Sequence, residues 1–466
     1  MRYLTVALVL ALPHFGYGAT RPNIVFMLAD DQGWSGLSVA MHPDIPGSKG
    51  DIYHTPNLEK FAAQAMRFSA AYAPAPVCSP TRISLQTGKS PAQLRWTKAA
   101  PSVQGQKLIE PTLIKQIADR EITIGEILRD AGYATAHYGK WHISGGGPSR
   151  HGYDEHDGDT GNEQAFKFTD PNPVDIFGMA NRTAAFMAKN KKAGKPFYIQ
   201  LSWNALHAAG NANKATMAKY AKLGNDKRSQ VAAITEDLDS GVGAVLKSIQ
   251  ELGLAENTYV IYTSDNGAGG GGGGRRSLNG GKGDVYEGGI RVPLLIRGPG
   301  IKPNSWCHTR VVGYDFYPTF CEWAGVPSNK LPKNIEGGSL TSLVANSGKG
   351  TVKRPREELV FHFPHYQGNS PHSAIIIGDM KLIKFYENNK LELFDLAKDI
   401  REQTDLSKKM PQETSRLHQR LTDYLTAVNA QLPTTNNKYD PKNVPPPKKG
   451  GKGGKNGKGD KTSDEE

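Results

Sequence analysis

Asn23-Ile24-Val25-Phe26-Met27-Leu28-Ala29-Asp30-Asp31 decides the fold. From Ile24 to Ala29 every residue is apolar and none alternates with a polar one. That is the pattern of a strand covered on both faces, as in a parallel sheet between two helix layers. The run stops on two carboxylates. In open α/β sheets the ligand crevice lies past the carboxyl ends of the strands, so Asp30 and Asp31 fall where chemistry is expected.

Thr55-Pro56 predicts a helix start, with threonine as cap and proline in the first turn. Leu58, Phe61, Ala62, Ala65 and Phe68 form its apolar stripe. Thr123 and Glu126 predict a capping box for a second helix, which Gly132 ends. Further strands are predicted at Ala134 to Tyr138, leading into Lys140 and His142, and at Phe197 to Leu201, leading towards His207. Another at Tyr259 to Thr263 leads into Asp265-Asn266. Strands alternating with helices give an α/β fold: a large mixed, mainly parallel sheet sandwiched by helices. Four segments thus aim polar side chains at one edge.

From about Thr351 the pattern changes. Ser373 to Ile377, Lys381 to Phe385 and Leu391 to Phe394 read as short strands joined at Gly378-Asp379 and Asn388-Asn389. A last amphipathic helix runs from about Gln412 to Ala430. The expected division is a leader over 1–18, a catalytic domain over 19–350, a small antiparallel subdomain over 351–431, and a disordered Lys/Gly/Pro-rich tail over 432–466. There are no internal repeats.

An early arginine, the apolar stretch Leu4 to Leu12, and Gly16 and Gly18 lay out a secretory leader, so the chain is expected to be exported, periplasmic or secreted. No later stretch is long and apolar enough to insert stably in a membrane. Of three cysteines, Cys307 and Cys321 are left as a bridge or as two buried thiols. The formal net charge of +12 favours polyanionic partners. The lysines do not form a recognition helix or interleave with stacking aromatics, which argues against nucleic acid, and a sulfated polysaccharide fits an exported protein better.

Four oxygen ligands from Asp30, Asp31, Asp265 and Asn266 would repel one another without a hard cation. Carboxylate and amide oxygens suit calcium or magnesium rather than zinc. The glycine run Gly269 to Gly274 reads as a loop over the site. Asp157, Asp159 and Asn162, in a turn-rich segment after His151, read equally as a surface loop or a sugar-hydroxyl subsite. His362, His365 and His372 are further candidates from the small subdomain.

Cys78-Ser79-Pro80-Thr81-Arg82 resembles the maturation signal of the type I sulfatases, in the alkaline-phosphatase-like superfamily. The other motifs follow in the family's order: Asp30-Asp31, Gly139-Lys140-Trp141-His142, His207, Asp265-Asn266-Gly267, Gly281-Lys282-Gly283 and Tyr286 to Pro293. The resemblance runs from about Pro22 to about Leu406. It implies hydrolysis of a carbohydrate sulfate ester, with Cys78 oxidised to formylglycine (3-oxoalanine) by a formylglycine-generating or anaerobic sulfatase-maturating enzyme. It also implies one Ca2+ at Asp30, Asp31, Asp265 and Asn266 beside the modified Cys78. Arg82 would orient the formylglycine, Lys140 and Lys282 would contact sulfate, His142 would act as base, and His207 as acid to the leaving alcohol. Leu206 stands where relatives often have proline. The alternatives are a phosphate or phosphonate hydrolase of the same superfamily, or an inactive polyanion-binding protein.

Overall fold

The computed structural model describes residues 21–100, 102–224, 227–269 and 277–442. The expected leader, Gly270 to Gly274 and the tail beyond 442 lie outside the described residues.

Asn23–Ala29 is fully buried and sits inside an eight-stranded sheet. The strand order is Ser305–Cys307, Met66–Phe68, Leu294–Arg297, Thr258–Ser264, Asn23–Ala29, Phe197–Ser202, Ala134–Gly139 and Glu155–His156. Leu294–Arg297 runs antiparallel to both neighbours and the other pairings are parallel.

The unbroken apolar run has its explanation in the packing. Val25 and Met27 join the core beneath helices Pro56–Gln64, Ile176–Lys192 and Lys227–Glu251. Ile24, Phe26 and Leu28 join the opposite core beneath Cys78–Thr87, Ile124–Asp130 and Phe316–Trp323. Both faces of the strand are dry, as the sequence requires.

Several local expectations meet their structure here. Thr123 and Glu126 form the capping box, and Gly132 follows at φ 88°. Thr55 precedes its helix but does not cap it. The Asp239 carboxylate, from the long helix, accepts from Asn57 N at 3.0 Å and Leu58 N at 2.8 Å, while Thr55 Oγ1 bonds Ser38. That helix ends at Gln64, and Phe68 belongs to the following strand. Cys307 and Cys321 are buried free thiols.

The small sheet has the order Leu359–Phe363, His372–Ile377, Met380–Phe385, Leu391–Asp395, all antiparallel. Its first strand was not among those expected. Phe361, Ala374, Ile383 and Phe394 face the body of the protein, whereas Val360, Ile375, Leu382 and Leu393 face helix Pro411–Ala427. The start of the expected tail is ordered: Thr434–Thr435 pairs with Leu108–Ile109. Backbone pairing, which composition does not reveal, holds it there.

Lys381, with no exposed surface, fastens the small sheet to the body. Its Nζ lies 2.9 Å from Glu287 and 2.7 Å from Glu402. Glu287 also accepts from Arg291 Nε at 2.6 Å and from the Tyr72 hydroxyl at 3.0 Å. Removing one partner of such a network strands buried charge. We expect Lys381→Met to destabilise the fold by about 3 kcal/mol or more, read from urea unfolding. A midpoint equal to the parent's would show that the network carries no such weight.

Candidate functional site

Strand ends and one helix start converge. Asp30 and Asp31 follow the central strand, Asp265 and Asn266 its neighbour, and Lys140 the strand two places to the other side. Gly139 makes the last turn possible: its φ is 86°, and a Cβ there would sit 2.2 Å from Ser202 O. Asp31 and His142 also hold left-handed backbone, at φ 61° and 60°. Strain of this kind persists where surrounding structure enforces it, often at functional sites.

Cys78 opens a helix whose ten residues are all buried, and is itself 4% exposed. Its Sγ lies 3.6 Å from Asp30 Oδ1. Lys140 Nζ contacts Asp30 Oδ2 at 2.7 Å, and Lys282 Nζ contacts Asp31 Oδ1 at 2.6 Å. One helical turn after Cys78, Arg82 donates twice to Asp265 Oδ2, at 3.0 and 2.6 Å, and to the Lys140 carbonyl at 2.6 Å. Ser79 Oγ donates to the His142 carbonyl at 2.7 Å. The Lys282 loop is pinned at both sides, by Lys282 N to Ala268 O and Gly283 N to Pro76 O.

The electrostatics follow from burial plus charge. Burial raises the Cys78 thiol, but Lys140 and Lys282 outweigh it and hold the thiol below its ordinary value. Burial pulls His207 down, yet its bond to Asp31, with Cys78 and Asp30, lifts it to about 9. His207 Nδ1 is 3.4 Å from Asp31 Oδ2. His142 is pushed the other way, to about 2, by burial and then by Lys140 and Arg82. The two histidines thus begin in different protonation states, His207 as the cation and His142 as the neutral ring.

Asp30, Asp31, Cys78 and His207 offer ligand atoms within 4.8 Å of one another. His207 is the one histidine of this cluster, with Nδ1 3.8 Å from Asp30 Oδ2. Asn266 completes the oxygen set. Its amide nitrogen donates to Asp31 Oδ1 at 2.8 Å, while its buried oxygen has no hydrogen-bond partner. That orphaned acceptor beside carboxylates fits a hard cation. Gly269 borders the cluster, where a Cβ would lie 3.1 Å from Asp31 Oδ2.

The proposed sugar-contacting positions divide. Asp157 Oδ2 accepts from Gly139 N at 2.7 Å and Arg182 at 2.8 Å, which makes it a brace for the turn before Lys140. Asp159 sits beside Gly147, its carboxyl raised by burial and Glu163. Asn162 begins the short helix Asn162–Phe166, and its buried side-chain oxygen has no partner. Sequence reasoning passed over Phe166, whose ring meets His207 edge-on at 6.2 Å between centroids. An aromatic exposed in a polar segment after Asn162 was the available signal.

His362, His365 and His372 do not line this site. Each is buried with both ring nitrogens engaged: His362 by Ser373 and the Gln431 carbonyl, His365 by Thr97 and Glu110, and His372 by Val285 N and the Ser370 carbonyl. They join the small sheet to its surroundings.

His137, 1% exposed on the strand leading to Lys140, is held down to about 3 by burial, with Arg82 adding to it. Its folded value lies below the unfolded value of about 6.5, so unfolding takes up a proton once pH falls below that. Stability from this group is complete above about pH 6.5 and falls by about 1.4 kcal/mol per pH unit below it. Urea unfolding near pH 7 and near pH 5 should therefore show a smaller acid loss in His137→Gln than in the parent. Equal losses in both would refute this assignment.

The geometry has counterparts among known proteins. The family model described as Sulfatase matches residues 22–326, and that described as N-sulphoglucosamine sulphohydrolase, C-terminal, matches 281–431. A sulfatase of Formosa agariphila is 29% identical, covering 92% of this chain and 93% of that protein. N-acetylgalactosamine-6-sulfatase of Sus scrofa is 30% identical over 71% of this chain and 70% of its own length. The crystal structure of Ps i-CgsB in complex with k-i-k-neocarrahexaose has the same fold, with TM-score 0.73 and 22% identity over 87% of this chain and 93% of that one. The chain belongs to the sulfatase family of the alkaline-phosphatase-like superfamily and is a sulfuric ester hydrolase.

Proposed function

We propose that this enzyme removes sulfate from a sulfated carbohydrate, with a formylglycine derived from Cys78 as nucleophile and one calcium ion held by Asp30, Asp31, Asp265 and Asn266. The observation that carries this reading is the position of Cys78 Sγ, 3.6 Å from Asp30 and lowered by Lys140 and Lys282. A solved neighbour is bound to k-i-k-neocarrahexaose, and a curated relative is named for N-acetylgalactosamine 6-sulfate, which supports a sugar ester as substrate.

A formylglycine hydrate at residue 78 would supply two hydroxyls on one carbon, one to attack sulfur and the other to lose its proton so that sulfate leaves and the aldehyde re-forms, and calcium would supply positive charge at the sulfate oxygens. The chain's own residues do the rest. Lys140 and Lys282 bring fixed charge to the oxygens on which negative charge accumulates. Arg82 holds Asp265 and the Lys140 turn in register with the start of the Cys78 helix. His207, already protonated, gives its proton to the departing alcohol oxygen. His142, neutral and with Nδ1 unpartnered, takes the proton when sulfate is expelled. Because Cys78 is buried, the maturing enzyme reaches it before this helix packs.

Assaying matured protein on defined sulfated mono- and disaccharides for sulfate release tests the reading directly. Cys78→Ser should retain its fold and lose turnover, since a single hydroxyl cannot support the expulsion step. Peptide mass spectrometry of active protein should find residue 78 as the aldehyde; active material carrying only the thiol would overturn this chemistry.

Chelation should lower the rate at least about a hundredfold, the scale of losing a principal electrostatic stabiliser, and added Ca2+ should restore it. Full activity after verified metal removal would eliminate calcium from the proposal.

A further inference from the structure

We infer that Phe166 is the aromatic platform on which the sugar ring lies while its sulfate occupies the charged pocket, an inference that rests on the sulfatase reading above. Among the described residues it is the most exposed of the large apolar side chains, at 61%, ahead of Ile109 at 52%. A lone exposed apolar residue is common and by itself means little. The position and anchoring of this one are what distinguish it.

Its ring lies 6.2 Å from that of His207, at 82° between planes. His207 is the member of the charged cluster that borders this segment, so a sugar whose sulfate lies beside Lys140 and Lys282 would emerge past it. A ring perpendicular to His207 and mostly exposed keeps at least one face open to what emerges there. The C–H bonds on a pyranose face present a weakly positive apolar surface, which complements the negative face of an aromatic ring.

The segment bearing the ring is fixed. Ala165 is fully buried, and its carbonyl accepts from Asn211 Nδ2 at 2.6 Å. The Gly161 carbonyl accepts from Asn204 Nδ2 at 3.0 Å, and the His207 amide donates to the Asn204 carbonyl at 3.1 Å. Asn204 thus ties one end of this segment to the turn that bears His207. At the other flank a Cβ on Gly161 would lie 3.6 Å from His142 Cδ2. Residues 161–166 therefore span the mouth of the site from His142 to His207. Within them only Ala165 is buried, which leaves Phe166 outward by design of the backbone.

Steady-state kinetics of the matured parent, Phe166→Ala and Phe166→Trp on a sulfated disaccharide test this, with competitive inhibition by inorganic sulfate as internal control. Phe166→Ala should raise KM about tenfold, the scale of one aromatic contact, and change kcat less than about twofold. Phe166→Trp should restore KM, and the inhibition constant for sulfate should be the same in all three. An unchanged KM in Phe166→Ala, or failure of tryptophan to rescue it, would overturn the platform. A weaker sulfate inhibition together with a lower kcat would instead show that the ring merely props His207, which also overturns it. If the parent releases sulfate from no ester, the proposed function fails, and this inference fails with it.

Discussion

A carboxylate with no access to water must be answered by charge within a few ångströms, and Asp30 imposes that condition on everything around it. Lys140 answers at 2.7 Å, and Arg82 stands 3.9 Å away while paired to Asp265. Lys282 and His207 do the same for Asp31. These cations come from a helix, two loops and a strand end that are far apart in sequence. Removing any one leaves a buried carboxylate short of the charge that balances it, a cost greater than most single packing defects. The balance that stabilises the site is therefore the one that makes it reactive: cations held near fixed carboxylates are already in place for an anionic sulfate.

The sequence made the scaffold legible because its signals are local. An apolar run ending on Asp30-Asp31, a capping box at Thr123 and Glu126, and polar residues after three more strands each need only a few neighbouring positions to read. Asp30, Asp31, Lys140, Asp265 and Asn266 were legible for the same reason, since each follows a strand end, whereas Arg82 and Lys282 were read from the family resemblance. What escaped were pairings between distant segments. Asp239 displaces Thr55 as the helix cap from 182 positions away, measured to Asn57. Lys381 meets Glu287 and Glu402 in a network that no periodicity announces. His362, His365 and His372 looked available because histidine is versatile, but each is locked by partners that only the tertiary fold supplies.

The charges of His142 and His207 show how far residue type alone falls short. Both are histidines at the same edge of the same sheet, and the sequence assigns them no protonation state. His142 lies beside Lys140 and Arg82, which expel a proton, while His207 lies beside Asp31 and Asp30, which retain one. Their protonation states are thus distinguished by burial and by which charged neighbours each one faces.

The same division separates chemistry from recognition. Asp30, Asp31, Lys140, Asp265 and Arg82 stand on strand ends and a fully buried helix, where packing on both sides fixes them. The segment 161–166 is different: it lies over the mouth, and its backbone is held by side chains from the His207 turn rather than by the sheet. Its side chains can vary without disturbing Asp30 or Lys140, because no ion pair of the charged cluster runs through them. Sulfate is common to every substrate of such an enzyme and the rest of the ester is not. Selectivity must therefore come from groups outside the charge balance, and in the reading proposed above the ring of Phe166 supplies it.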